Sequence, residues 1–297
     1  MNATLHESLL AFWRLDDPNA LWVLAGACLL GALAAVAGGF AVLQRRALLG
    51  DALAHAALPG VVIAFLLTGS RDWPVLLGGA AASSLLGMLA LDWLTRRARI
   101  RQEAALAAVL TSFFALGIVL LTWLQKNPVG MQAGLDKLLF GQAAALTLDD
   151  LRLLALLALA VFGSVVLLLP RLRWVVFDPL HARASGANEA AYHRLLTLLL
   201  VLAVVTGMQL VGIVLMAALL LIPAAAARFW TDRLGSLLLL SALFGMIAGA
   251  LAANVSHALP RMPTGPWVVV FLALIFAASL LFGRARGLLR ASSRQGS

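Results

Sequence analysis

The run that decides the fold is "LLTLLLVLAVVTGMQLVGIVLMAALLLIPAAAA", Leu195 to Ala227. It carries no charged residue. As one straight helix it would be roughly 50 Å long at ~1.5 Å per residue, well beyond a ~30 Å hydrocarbon core. Gly207 and Gly212 flank "MQLV" in its middle and offer a place to break. One crossing or two reverses the topology of everything downstream.

Basic residues choose between the two. Apolar runs between polar breaks predict crossings near 21–43, 51–69, 74–94, 104–124, 151–170, 195–209, 211–227, 235–254 and 266–283. With nine crossings and the N-terminus outside, sixteen of the 22 Lys and Arg fall on the inner side. The outer six are Arg14, Arg71, Lys126, Lys137, Arg152 and Arg261. A single crossing over 195–227 would even the tally to eleven against eleven. The positive-inside bias therefore predicts two short crossings and a cytoplasmic C-terminus. A broken helix must be shielded from lipid by protein.

Composition sets the class. The chain is 63% hydrophobic and 12% charged, with a mean hydropathy of +0.99; a soluble domain is about 45–50% apolar and about 25% charged. This predicts an all-α, polytopic helical membrane protein. The expected organisation is an extracytoplasmic N-terminal segment over 1–20, a transmembrane domain over 21–284 with a long inner loop at 171–194, and a cytoplasmic tail over 285–297. Phe12 and Trp13 are expected to anchor the N-terminal segment at the surface. The outer stretch 125–150 has its own apolar patch, suited to a re-entrant or surface helix. The net charge of +9 sits in short clusters between apolar runs, as in cytoplasmic loops, and does not point to nucleic acid. The single cysteine, Cys28, excludes an intramolecular disulfide and a multi-thiolate metal site.

Within "QRRALLGDALAHAALPGVVIAFLL", Gln44 to Leu67, an aspartate and a histidine sit four residues apart. That spacing puts Asp51 and His55 on one helix face. Ionisable groups in membrane spans usually face a partner or a cavity. Carboxylate oxygen with imidazole nitrogen suits Mn²⁺, Fe²⁺ or Zn²⁺. Two ligands are few for a tight site, and a two-fold dimer with this face on its axis would supply four. Pro59 has no N–H and crowds the carbonyl four residues back, that of His55. The structural alternative is that Asp51 caps the second helix, since Asp is a good N-cap, and that His55 is interfacial.

Catalytic signatures are missing. Lys126 is followed by Asn and Lys137 by Leu, so there is no P-loop, and neither HExxH nor a dinucleotide fingerprint occurs. Passage of something, not bond cleavage, is the expected chemistry.

"RRALLGDALAHAALPGVV" resembles the signature of the manganese/zinc/iron permeases, the membrane subunits of bacterial metal-uptake ABC transporters. The similarity continues, in the family's order, through "QEAALAAVLTSFFALGIVLL", "LLFGQAAALTLDDL", "GMQLVGIVLMAALLLIPAAAAR" and "MPTGPWVVV". The resemblance implies a homodimer in the bacterial inner membrane, two copies of a cytoplasmic ATPase subunit and an extracytoplasmic metal-binding protein. ATP hydrolysis would reside in the partner chain, with no permanently bound cofactor. It implies metal contact at Asp51 and His55. It also implies ATPase docking on the inner loop, around Phe177, Asp178, Pro179, Ala182 and Gly186. Pro59, Gly60, Met208 and Gln209 are expected to mark helix breaks along the path, and His257 lies near the outer mouth. A secondary carrier or channel without an ATPase, and a membrane scaffold without transport, remain alternatives.

Overall fold

The computed structural model describes residues 12–13, 18–44, 46, 48–70, 72–126, 146–186, 188–259 and 263–289. Among them are ten helices and no strand: α1 (Pro18–Leu43), α2 (Leu49–Thr68), α3 (Trp73–Arg96), α4 (Gln102–Gln125), α5 (Leu148–Phe177), α6 (Pro179–Ala184), α7 (Glu189–Leu210), α8 (Ile213–Ala227), α9 (Leu234–Ala258) and α10 (Thr264–Phe282). All but α6 and α8 are long and apolar enough to cross a membrane. Each expected crossing thus has its helix. The expected outer-loop helix lies mostly outside the described residues, as do most of the N-terminal segment and the end of the tail.

The break in the opening run falls at Val211 and Gly212, where Gly212 takes φ +90°. That conformation is open to glycine and costly for other residues. Gly207 stays helical, and the Met216 side chain lies where its Cβ would be. The 15 residues of α8 span about 22 Å at ~1.5 Å per residue, short of a ~30 Å core. Its shortness is tolerated because α1, α2, α9 and α10 all pack on it and bury Met216, Leu219, Leu220 and Ala224.

Small residues let the helices approach. Lipid tails are as apolar as the side chains, so close packing rather than hydrophobic burial holds such a bundle together. Ala27, Gly31 and Ala35 of α1 meet Gly245 and Gly249 of α9. A Cβ on Gly31 would collide with the Gly245 carbonyl, and one on Gly245 with the Gly31 carbonyl. Gly60 of α2 and Gly79 of α3 face each other in the same way. These crossings tie two groups, α2–α3–α4 and α1–α8–α9–α10, which α7 and α8 join.

Arg173 and Phe177 of α5 line one cleft with Asp232 and Arg233 before α9. The backbone N–H groups of Ala285 and Arg286 donate to the Phe229 carbonyl. The end of α5, the 228–233 turn and the segment after α10 therefore share one end of the bundle. A single crossing over 195–227 would have put the first two at opposite ends.

Candidate metal-contact pair and candidate docking helix

Asp51 is the third residue of α2. It does not cap the helix: Leu48 occupies the cap position in αR geometry, and no side-chain cap bond is made. The capping alternative is set aside. In the first turn the carboxylate still meets the positive end of the helix dipole, a favourable interaction of about 0.3–1 kcal/mol. Gly50 packs against the Leu220 side chain, seven residues before the end of α8. The pair therefore lies roughly 10 Å in from that end at ~1.5 Å per residue.

One turn on, His55 Nε2 stands 3.4 Å from Asp51 Oδ1. That is longer than a good N–H···O bond, about 2.7–3.2 Å. It falls within the roughly 3.0–3.5 Å that two donors would keep if each sat ~2.0–2.2 Å from one cation. The His55 side chain is 13% exposed and that of Asp51 27%, so both are sheltered yet reachable. His55 Nδ1 is buried with no hydrogen-bond partner. The ring is held instead by Phe114 of α4, edge to face at 4.7 Å between centroids. Among the described residues no third His, Cys, Asp or Glu joins the pair. One chain thus offers two donors of the kinds that transition metals accept, and an open remainder of the coordination sphere.

Of the two expected breaks, the one at Pro59 and Gly60 is absent, and the one at Met208 and Gln209 falls two residues on, at Val211 and Gly212. α2 runs unbroken through Pro59 and Gly60, because the residues around the proline are buried and Gly60 is locked against Gly79. Pro59 still denies the His55 carbonyl its helical partner. Met208 and Gln209 lie in the last turn of α7, just before the true break, and Met208 is buried. His257, in the last turn of α9, packs against the ring of the buried Phe12 at 5.3 Å. Far from Asp51 in the chain, it closes the end of the bundle where α1 begins.

Of the expected 171–194 loop, 171–177 continue α5, 179–184 form α6 and 189–194 begin α7. The Asp178 carboxylate accepts from the His181 backbone N–H at 3.0 Å, and Pro179 takes the first helical position. Ala182 is buried, Trp174 stacks edge to face on His181 at 5.1 Å, and Gly186 turns the chain at φ +76°. Asn188 then caps α7. Arg183 bonds Glu189 across the turn, and that hydrogen bond holds the guanidinium above its ordinary pKa. Phe177 and Leu180 are left exposed. The result is a hydrogen-bonded knob with a buried and an exposed face at the arginine-bearing end. Sequence reasoning missed Phe114 and Leu180, since each lies in an ordinary apolar context with no local mark.

The model of the family described as "ABC 3 transport family" matches residues 16–283. The chain belongs to the ABC 3 transport family. It is 39% identical over 284 residues to the manganese transport system membrane protein MntC of Bacillus subtilis, covering 96% of this chain and 65% of that one. It is 41% identical over 267 residues to the zinc transport system membrane protein TroC of Treponema pallidum, covering 90% of each. The chain thus spans a little under two thirds of the first of these relatives and most of the second. Among solved structures, PsaBC from Streptococcus pneumoniae in complex with Fab superposes with a TM-score of 0.84 at 29% identity, over 98% of this chain and 100% of that one. The ABC 3 match covers every described helix, so the fold and the two features above belong to one family domain.

Proposed function

We propose that this chain is the permease subunit of an ABC transporter that imports a divalent transition-metal ion, Mn²⁺, Zn²⁺ or Fe²⁺, across the bacterial cytoplasmic membrane. The carrying observation is the Asp51–His55 pair, 3.4 Å apart and sheltered at the start of α2, in a member of a family whose named relatives transport manganese and zinc. Asp51 supplies charge to offset the cation and His55 supplies a nitrogen donor. A second copy of the chain, with the same face on the dimer axis, brings the donors to four. Transition-metal preference by such N and O donors rises from Mn²⁺ to Cu²⁺, so selection among ions falls to the extracytoplasmic metal-binding protein that delivers them.

Energy enters at the arginine-bearing end, which is cytoplasmic by the positive-inside bias; the N-terminus lies outside. α6, with Phe177, Asp178, Pro179, Ala182 and Gly186, docks on an ATPase subunit, one per permease copy. Movement of that subunit tilts α5 and α7, between which α6 is held, and changes access to the pair. The chain itself hydrolyses nothing.

The test is uptake of radioactive Mn²⁺, Zn²⁺ and Fe²⁺ into vesicles carrying the permease, ATPase and binding protein. ATP-dependent uptake of at least one ion is expected. Uptake that persists without the ATPase subunit would make the chain a secondary carrier and refute this reading.

A further inference from the structure

A cleft of about 570 Å³ opens between the end of α5 and the start of α9. We propose that it binds the headgroup of an anionic phospholipid, with an acyl chain laid along α5. This rests on neither metal transport nor the ATPase.

The charge is arranged for an anion. Asp232, the one carboxylate among the described residues that line the cleft, is held by Arg286 at 2.6 Å. Arg173 and Arg233 also line it, and among the described residues neither is joined to a carboxylate. With Asp232 taken up by Arg286, two guanidinium groups face the cleft with no carboxylate of their own among the described residues, and guanidinium matches phosphate oxygens in pairs. The first turn of α9 adds backbone N–H groups that no side chain caps. A Cβ on Gly235, at the cleft's edge, would meet nothing within 4 Å.

The apolar part is arranged for a lipid rather than a soluble phosphate. Leu159, Gly163, Val166, Pro170, Arg173 and Phe177 follow one another at intervals of three and four, so they form one stripe along α5. Leu159 and Val166 are strongly exposed, and Gly163 leaves open space between them. The stripe is apolar for three turns and then reaches Arg173, with the exposed ring of Phe177 beyond. That is the polarity order of a phospholipid from tail to headgroup. From Leu159 to Pro170 is roughly 16 Å at ~1.5 Å per residue, comparable to one leaflet, ~15 Å, of a ~30 Å core. Basic pockets between transmembrane helices at the cytoplasmic side are suited to anionic headgroups. A free phosphate would leave the stripe unused, and an acidic protein segment would leave it facing lipid.

The experiment is native mass spectrometry of the purified full chain, titrated with phosphatidylglycerol or phosphatidylcholine, with inorganic phosphate as competitor. Wild type is expected to retain phosphatidylglycerol at least tenfold better than phosphatidylcholine. The double variant Arg173→Gln/Arg233→Gln should lose that preference, Arg173→Lys/Arg233→Lys should keep most of it, and Arg96→Gln/Arg97→Gln should leave it intact. Gly235→Trp, which fills the cleft without touching a charge, should lose it as well. A preference that survives both the glutamine pair and Gly235→Trp overturns the proposal. So does full displacement by millimolar phosphate. A photo-crosslinker at Val166, on the apolar stripe, that captures a second copy in place of lipid also overturns it.

Discussion

His55 Nε2 lies 3.4 Å from Asp51 Oδ1 while its Nδ1 is buried without a partner. The imidazole is thus turned toward the carboxylate by packing, not by a second hydrogen bond. An unpartnered buried nitrogen costs about 1–3 kcal/mol, and that cost persists only because neighbouring atoms hold the ring in place. A cation between the two donors would give the pair a better interaction than the long contact it now makes.

Asp51→Asn keeps the size and removes the charge; His55→Ala removes the nitrogen. Each is expected to lower uptake of radioactive Mn²⁺ or Zn²⁺ by at least the ~10–100-fold typical of losing even an outer-shell partner. Both should reach the membrane at normal levels, because Asp51→Asn removes a charge and His55→Ala a polar group near a span, and either change lowers insertion cost. Near-normal uptake by Asp51→Asn would remove the metal site.

Phe114 sets the imidazole plane. Phe114→Ala is expected to raise the metal concentration needed for half-maximal uptake several-fold, and Phe114→Tyr to restore most of it. Aromatic pairs are worth about 0.5–1.5 kcal/mol beyond area, roughly two- to twelvefold. Equal loss in both variants would show a purely steric role.

Leu180 is 77% exposed on α6, so Leu180→Glu should change stability by no more than about 0.5 kcal/mol. It should nonetheless prevent co-purification of the ATPase. Gly186→Ala probes the backbone instead: its Cβ would have room, but φ +76° costs a non-glycine residue about 1–2 kcal/mol. A lower Tm with ATPase binding retained is expected there. Leu180→Glu that still binds and stimulates the ATPase would exclude α6 as the coupler.

Gly31 and Gly245 meet backbone to backbone. Gly31→Leu cannot be absorbed by a side-chain shift, since the obstacle is a carbonyl. Overpacking costs typically ~1–3 kcal/mol, and more where backbone must move. Size-exclusion of the fluorescently tagged variant should show aggregated protein. Gly163→Leu, where space is open, should elute as wild type.

With Cys28 replaced by Ser, single cysteines at Ser185, Thr231 and Arg284 should label from the same side of sealed vesicles, the cytoplasmic one. Labelling of Ser185 and Thr231 from opposite sides would contradict the packing of α5 against the 232–235 segment.

Much of this molecule was legible in its sequence. Helix periodicity, capping and hydropathy are local properties, so the order of the helices, the break within 195–227 and the shared face of Asp51 and His55 follow from spacing along the chain. Charge counting found the even number of passes between 171 and 233 for the same reason. The tertiary structure decided the rest. α8 is tolerable in a membrane only because four helices wrap it. α2 stays straight through Pro59 because Gly60 is pinned on Gly79. His55 faces Asp51 because a ring from α4, 59 positions away in the sequence, holds it there. Such contacts join residues distant in sequence, and between helices in lipid they are set by fit rather than by polarity, so no local pattern announces them.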